Sequence, residues 1–351
     1  MSPQARRPHD PYTDRVTDQL RRRPTITDVA EVAGVSRGTV SRVLNGGTWV
    51  SPDAQIAVER AIKKTGYRIN PHARSLATAR AGSIAFLLTE SQERLFADPN
   101  FAVIMRGAAD ALAERDLPLV LVMAGSADEQ RRASDFILAG HVDGALLVSS
   151  HRDQSAFLKP LLDSQFPIVS CGVPQGFEHQ IAYVAADDFE GSRSITSYLR
   201  ETGHRRIATI AGPQDTQGGV DRLRGYRSEL VDGSEAMIAY GDYSAQSGGM
   251  AMRTLLQRVP DLDAVFAAND VMAAAALDVL RAEGRRVPDD VAVAGFDDAP
   301  IASHTVPPLT TVQQPLARIS HEAVRILLDL IDGQPAARTT MPTRLIVRES
   351  A

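Results

Sequence analysis

Residues 25–47 read TITDVAEVAGVSRGTVSRVLNGG and hold two short helical patterns separated by the turn AGVS. Thr25 and Asp28 have the spacing of a capping box, in which each side chain binds a backbone N–H at the start of a helix. Gly34 is typical of a helix end, and Ser36 is a preferred N-cap for the second helix. Two helices joined by so short a turn are typical of a helix-turn-helix, whose second helix enters the major groove of DNA.

The sequence on either side of this motif defines the rest of an N-terminal module. A third helical pattern opens at Ser51 and closes at Gly66, so residues 24–69 are predicted to form an all-α DNA-binding domain. Residues 1–23 are polar and aperiodic, which predicts a disordered arm. The linker 70–81 contains NPHARSLA, a helical pattern too short to be stable alone in water, so this hinge segment needs a partner to fold.

Charge is divided unevenly along the chain. The net charge of −5 is made up of zero over residues 1–20, +7 over residues 21–80 and −12 over the remainder. A solvated charged surface explains single clusters of charge but not this segregation. A basic module joined to an acidic body predicts a polyanionic partner at one end only.

Residues 82–351 alternate apolar strands with amphipathic helices, a pattern typical of parallel sheets covered on both faces. About ten strands over this length favour two doubly wound lobes over one sheet. With chain crossings near 172–176, near 300–310 and in the C-terminal segment, the sequence predicts an N-lobe of 82–172 and 301–314 and a C-lobe of 176–300 and 316–348. A small ligand is expected between the lobes, outside the carboxyl ends of the strands.

Several classes of protein and site are disfavoured. No apolar run reaches the length of a membrane span, and the N-terminus lacks the apolar segment of a secretory signal, so a cytoplasmic location is expected. A single cysteine, Cys171, excludes an internal disulfide and a Cys-rich zinc site. No Walker loop, HExxH, GxSxG or GxGxxG motif is present, so we predict neither an enzyme nor a cofactor or metal site. His141 and His204 are interpreted as packing or capping residues.

Five stretches of the sequence carry a family resemblance. They are residues 25–78, RLRGY from Arg222, FAANDVMAAAAL from Phe266, VPDDVAVAGFDDAP from Val287 and PPLTTVQQP from Pro307. Together they resemble the LacI/GalR family of transcriptional regulators. The resemblance covers residues 25–348 and implies a body like that of periplasmic binding proteins. It further implies a homodimeric repressor of sugar uptake or catabolism genes on a pseudo-palindromic operator in double-stranded DNA, at the nucleoid when bound. A small sugar or related effector would control DNA binding, and a phosphoprotein co-regulator is a further possible partner.

On the second helix, the resemblance assigns base reading to Arg37, Gly38 and Arg42. Outward arginines near a helix N-terminus suit the O6 and N7 atoms of guanine, although they could instead be merely solvated. Gly38 departs from members with a long side chain there, which leaves more of the reading to Arg37. The remaining predicted contacts to phosphates or base edges are Thr25, Ser36, Thr39, Ser41 and Asn45.

In the hinge, the resemblance makes Leu76 a wedge between base pairs in the minor groove, with Ala73 against the groove floor and Arg74 near the backbone. The alternative is that Leu76 is an ordinary core residue. Ala77 departs from members with a basic residue, which puts one minor-groove contact in doubt.

In the cleft, the resemblance places effector contacts at Arg222, Asn269 and Asp297, with the ring of Tyr243 against a sugar. A guanidinium, an amide and a carboxylate suit vicinal hydroxyls. Taken singly, Asp297 could be a helix or turn cap and Asn269 an Asx turn. Phe101 is also expected to line the pocket, whereas no pocket role is assigned to Phe96. At Gly172 and Leu316 the sequence differs from the pocket residues found in several members of the family.

Two other function classes remain to be separated from a regulator. A solute-binding protein of a transporter shares the two-lobed body, but the missing signal sequence and the presence of residues 25–80 argue against it. Turnover of a bound sugar would revive an enzymatic interpretation. No leucine heptads follow RLIVRESA at the C-terminus, which favours a dimer over a tetramer built through such an extension.

Overall fold

The computed structural model describes residues 24–44, 49–67, 80–230 and 234–351. The chain divides into two compact units, residues 1–79 and residues 80–351. The predicted arm and four of the predicted DNA contacts, Asn45, Ala73, Arg74 and Leu76, lie outside the described residues. Within the described residues, no helix combines the length and apolarity needed to cross a membrane.

The first unit contains the three predicted helices, α1 (Ile26–Ala33), α2 (Arg37–Leu44) and α3 (Pro52–Thr65). The capping box is present, with the Asp28 carboxylate accepting from the Thr25 backbone N–H at 2.6 Å. Gly34 ends α1 in the left-handed region at φ 67°, a conformation that costs glycine little. The helices enclose a small core of buried apolar residues, Val29, Ala30, Val40, Val58 and Ala61.

We expect Thr25→Ala to destabilise α1, since it removes the side chain that caps the helix. The expected loss is about 1 kcal/mol, a typical value for an N-cap. Amide exchange of residues 26–33 in the full chain measures it, because these amides report the opening of α1. Thr25→Ser is the matched control, since it keeps a capping hydroxyl. Equal exchange rates in the alanine variant and the original chain would contradict a stabilising cap.

The second unit begins with an N-lobe built on one parallel sheet of six strands. Phe86 on β1 packs into the core on one face of this sheet, and its neighbour Leu87 packs into the core on the other face. Both faces are therefore covered, as the apolar strands predicted. In spatial order the strands are β11 (Arg338–Met341), β5 (Ala182–Ala186), β4 (Ile168–Cys171), β3 (Gly144–Val148), β1 (Ile84–Leu88) and β2 (Leu119–Met123), with helices α4 (Gln92–Ala97), α5 (Pro99–Ala113), α6 (Ala127–Leu138), α7 (Ser155–Asp163) and α12 (Leu316–Ile331).

The C-lobe has a parallel four-stranded sheet and an adjoining antiparallel pair. Val265 and Phe266 on β8 point into different cores, so this sheet is also covered on both faces. The sheet order is β7 (Ile238–Tyr240), β6 (Ile207–Ala211), β8 (Ala264–Ala267) and β9 (Ala292–Ala294); the pair is β10 (Thr311–Gln313) with β12 (Arg344–Ile346); the helices are α8 (Asp188–Glu201), α9 (Gln217–Ser228), α10 (Ala245–Arg258) and α11 (Asp270–Ala282).

The predicted fold class is confirmed, but the predicted lobe boundaries need correction. The first crossing was placed at 172–176, whereas strand β5 pairs with β4 and so keeps the chain in the N-lobe to Ala186. Residues 316–348 were assigned to the C-lobe, yet α12 packs on β4 and β5 and β11 extends the N-lobe sheet. Residues 301–314 were assigned to the N-lobe, yet β10 pairs with β12 beside the C-lobe sheet.

Candidate functional site

A cavity of about 180 Å³ lies between the two lobes, at the carboxyl ends of their strands. The loops that follow β1, β3 and β4 form its N-lobe side, and those that follow β6 to β9 form its C-lobe side. Five predicted effector residues line it: Phe101, Arg222, Tyr243, Asn269 and Asp297. Gly172 and Leu316 also line it, while Phe96 is 87% exposed and does not.

Arg222 is the best-buried cation of the cleft, with 7% of its surface exposed. Its Nε lies 2.8 Å from Oδ1 of Asp188, and its Nη1 lies 3.3 Å from Oδ1 of Asp297. The guanidinium also lies 3.9 Å from the centroid of the Phe296 ring. Burial alone would lower the pKa of Arg222, but the two carboxylates outweigh it and raise the pKa. Arg222 is therefore a fixed charge that orients both carboxylates.

Asp297 is held by donors from both lobes. Its Oδ2 accepts from the Asn100 amide at 2.7 Å, and its Oδ1 accepts from the Gln314 amide at 2.6 Å. Burial raises the pKa of Asp297 to about 6, against the lowering effect of Arg222. Asn100 lies in the first turn of the N-lobe helix α5, so its hydrogen bond to Asp297 is a direct contact across the cleft.

Asn269, for which an Asx turn was the alternative, is a helix cap in the structure. Its Oδ1 accepts from the Met272 backbone N–H at 2.9 Å, which makes it the N-cap of α11. Its amide nitrogen donates to the Tyr243 carbonyl at 3.0 Å. Capping and lining the cavity are compatible, because one side chain does both.

The Tyr243 ring is already surrounded by protein groups. A Cβ on Gly212 would lie 2.6 Å from the ring, so the glycine is needed for this close approach. The guanidiniums of Arg94 and Arg222 lie 5.2 Å and 5.8 Å from the ring centroid. A ligand that packs on this ring therefore has to share it with two cations.

The charged groups of the cleft are mostly acidic. The carboxylates of Asp98, Asp188, Asp221 and Asp297 line it together with the guanidiniums of Arg94 and Arg222. Both guanidiniums already face carboxylates: Arg94 lies 3.5 Å from Glu90, and Arg222 is paired as described. Such a surface offers hydrogen bonds to hydroxyl groups and opposes the entry of an anion.

Sequence reasoning missed several of these residues, among them Asp188, Arg94, Asn100 and Gln314. A signal existed for Asn100, since Asp98 and Pro99 before it are a typical helix start, and a helix starting there turns its first side chains toward the strand ends. Gln314 and Asp188 carry no such signal, because their roles depend on which lobe each segment joins.

The predicted DNA contacts within the described residues lie on or beside α2 in the first unit. Arg37, Gly38 and Arg42 are exposed, whereas Thr39 and Ser41 are half-buried. Ser36 caps the helix, accepting from the Thr39 backbone N–H at 3.1 Å. A neighbouring aromatic residue that sequence reasoning did not select, Trp49, is 87% exposed.

Thr25 is engaged within its own helix, since its hydroxyl donates to Asp28 at 2.7 Å. A Cβ at Gly38 would meet nothing closer than 3.7 Å, the distance to Arg42 Nη2 and to Ser36 Oγ. The helix face at Gly38 is therefore open to a partner that approaches closely.

Two family models match the chain. Residues 25–70 match the model described as bacterial regulatory proteins of the lacI family, and residues 196–351 match the periplasmic binding protein-like domain. A curated relative, the HTH-type transcriptional regulator CelR of Thermobifida fusca, is 49% identical over 95% of this chain and 99% of its own. The ribose operon repressor of Halalkalibacterium halodurans is 33% identical over 93% and 96%.

Solved structures agree with these matches. A transcriptional regulator CelR–cellobiose complex has a TM-score of 0.75 at 47% identity and covers 94% of this chain and 100% of its own. A lac repressor dimer bound to operator and the anti-inducer ONPF has a TM-score of 0.82 at 28% identity, with coverage of 94% and 99%. The similarity therefore extends through both units of the chain.

Proposed function

Because this chain belongs to the LacI family of bacterial regulatory proteins, we propose that it is a repressor of sugar uptake or catabolism genes whose DNA binding is controlled by a sugar in the cleft of its body. Sequence-specific DNA binding and transcriptional regulation are the activities of this family. The observation that carries the effector half is the cleft itself, which gathers Arg222, Asn269 and Asp297 at the strand ends of two lobes.

A neutral sugar fits the chemistry of the cleft. Its carboxylates and amides accept from and donate to hydroxyls, and its two cations already face carboxylates. Cellobiose is the first candidate, since a CelR structure 47% identical to this chain is a cellobiose complex. Asn100 and Gln314 both donate to Asp297, and we propose that they position its carboxylate for the effector.

For DNA binding, we propose a homodimer on a pseudo-palindromic operator, with α2 in the major groove. Arg37 and Arg42 would read bases, and Thr25, Ser36, Thr39 and Ser41 would contact phosphates or base edges. Asn45, Ala73, Arg74 and Leu76 keep the roles that the resemblance assigns to them. The lac repressor structure, a dimer on its operator, supports this arrangement.

Catalysis forms no part of the proposal, because the relatives above are transcriptional regulators. No group of three or more His, Cys, Asp or Glu side chains in the described part of the chain could hold a metal ion. The phosphoprotein co-regulator that the resemblance allowed finds no support in these relatives. We expect the protein in the cytoplasm, at the nucleoid when bound to DNA.

The effector half is tested by measuring operator affinity with and without cellobiose. Fluorescence anisotropy of a labelled operator should show a change of about 5-fold to 150-fold, the usual range of coupling between two sites. Glucose 6-phosphate is the control, since its charge should exclude it from an acidic cleft. An affinity unchanged by cellobiose and by a panel of neutral sugars would contradict allosteric control by a sugar.

A further inference from the structure

A cluster of three ionisable side chains joins the lobes beside the cavity. His151 follows β3 in the N-lobe, Glu90 follows β1 in the same lobe, and Asp215 follows β6 in the C-lobe. His151 Nε2 lies 3.1 Å from Glu90 Oε1, and His151 Nδ1 lies 2.9 Å from Asp215 Oδ2. We refer to Glu90, His151 and Asp215 as the cross-lobe clasp.

We propose that the cross-lobe clasp holds the cleft closed, and that protonation of His151 strengthens it, so that effector affinity depends on pH. His151 is absent from the residues that line the cavity and is thus a positioning residue. The proposal concerns lobe closure and rests on the proposed function only where it speaks of the effector.

The geometry favours a protonated ring. Both ring nitrogens face a carboxylate oxygen, and both can donate only in the imidazolium form. A neutral ring donates through one nitrogen and leaves the other lone pair facing a carboxylate. Of these two ring contacts, the one to Asp215 crosses between the lobes and the one to Glu90 does not. Opening the cleft therefore separates the imidazolium from one of its two carboxylate partners.

The two carboxylates that face the ring favour its protonated form. Glu90 and Asp215 raise the pKa of His151, with the hydrogen bond to Glu90 the largest cause, against a lowering by burial. Burial raises the pKa of Glu90, but the hydrogen bond with His151 and the charge of Arg94, on α4 and 3.5 Å away, outweigh burial and keep that pKa below its usual value. Opening removes Asp215 from His151, so the pKa of His151 is higher in the closed form.

The sign of the pH effect follows from this difference. A group that binds its proton more tightly in the closed form favours closure fully below its open-form pKa. That contribution disappears as the pH rises through the closed-form pKa. Closure, and with it effector affinity, should therefore weaken as the pH rises above the ordinary histidine pKa of about 6.5.

Two neighbouring contacts show that the clasp lies where the lobes meet. The Arg152 backbone N–H donates to the Asp215 carbonyl at 2.8 Å, which is a backbone hydrogen bond across the cleft. Arg94 donates to the Asp242 carbonyl, also across the cleft. The Arg152 amide is thus a reporter of closure that requires no effector.

The experiment is amide exchange at Arg152 in the effector-free full chain. After correction for intrinsic exchange, protection should fall about fivefold between about pH 6 and about pH 8.5, as expected for losing one partly exposed ion pair. In His151→Gln and in Asp215→Asn, which keep polar side chains of similar size, this pH dependence should disappear. His304→Gln is the matched control, since His304 bonds to the Pro300 carbonyl in the C-lobe.

A pH dependence that survives in His151→Gln, or an Arg152 amide unprotected at every pH, would overturn the clasp. Calorimetric titration with cellobiose then tests the link to the effector, with about a fivefold weaker Kd expected at the higher pH in the original chain alone. If cellobiose gives no heat with any variant, the proposed effector fails, while the exchange at Arg152 still decides the clasp.

Discussion

Arg222→Met should lower the free energy of unfolding of the body by about 3–5 kcal/mol, the usual cost of removing one partner from a buried ionic cluster. Methionine fills most of the space on the Phe296 ring but carries no charge. The substitution leaves Asp188 and Asp297 facing the cleft without their cation. Chemical denaturation followed by circular dichroism at neutral pH measures the loss.

The penalty should also depend on pH. Burial already raises the pKa of Asp297, and without the lowering effect of Arg222 that pKa should rise further above the value of unfolded aspartate. A raised pKa in the folded state means that stability falls as the pH rises through the unfolded value. The variant should therefore be weakest at and above neutral pH and should regain stability in acid. Adding Asp188→Asn should recover part of the loss, since it removes one of the two unpaired charges.

Arg224→Met is the matched control for this substitution. Arg224 lies on the same helix, but its side chain is 63% exposed and its partner Asp221 is three residues away. Exposed pairs of this kind contribute at most about 1 kcal/mol. If the Arg222 variant lost no more stability than the Arg224 variant, the ionic cluster would not be a main support of the cleft. The Arg222 variant should also lose any response of operator binding to cellobiose.

Local signals in the sequence predicted the helices of the first unit well. Thr25, Asp28, Gly34 and Ser51 act through neighbours within four residues, so their roles as caps and helix ends were visible without tertiary structure. The same holds for the apolar strands, whose faces are both covered.

Lobe membership was not visible in the same way. Strand β5 belongs to the N-lobe because it pairs with β4, and α12 belongs there because its apolar face packs on that sheet. Neither the strand pairing nor the helix packing can be inferred from the sequence of the segment alone. The prediction therefore placed the first crossing too early and assigned α12 to the wrong lobe.

In the cleft, too, some residues were predicted from the sequence and others were not. Arg222, Asn269 and Asp297 were selected through a family resemblance, and they do lie together. Asn100 and Gln314 were missed, because both meet Asp297 only in the folded body: Asn100 reaches it across the cleft, and Gln314 reaches it from the segment after β10. For Asn269 the alternative was an Asx turn, and its side chain does bond locally, to the backbone N–H of Met272 three residues away.

In DNA recognition, Arg37→Ala should cost about 1–3 kcal/mol of operator affinity and relax the preference for one base in each half-site. Arg37 is exposed at the first position of α2, where a guanidinium can reach the major groove. Gly38 beside it has no side chain to read a base, so a second contact cannot replace the lost one. Selection of binding sites from a randomised operator pool, run on both proteins, measures the preference.

Arg60→Ala separates base reading from simple charge. Arg60 is exposed on α3 and belongs to the same basic unit, so its loss should weaken binding to all sequences alike. The Arg37 variant should instead lose affinity mainly for the operator, since a base contact contributes only where the correct base is present. If the Arg37 variant instead behaved like the Arg60 variant, it would leave the selected sequence unchanged and alter only the salt dependence of binding. That result would mean that Arg37 contacts phosphate and not a base. Base reading by α2 would then rest on Arg42, because Gly38 offers only backbone to the groove.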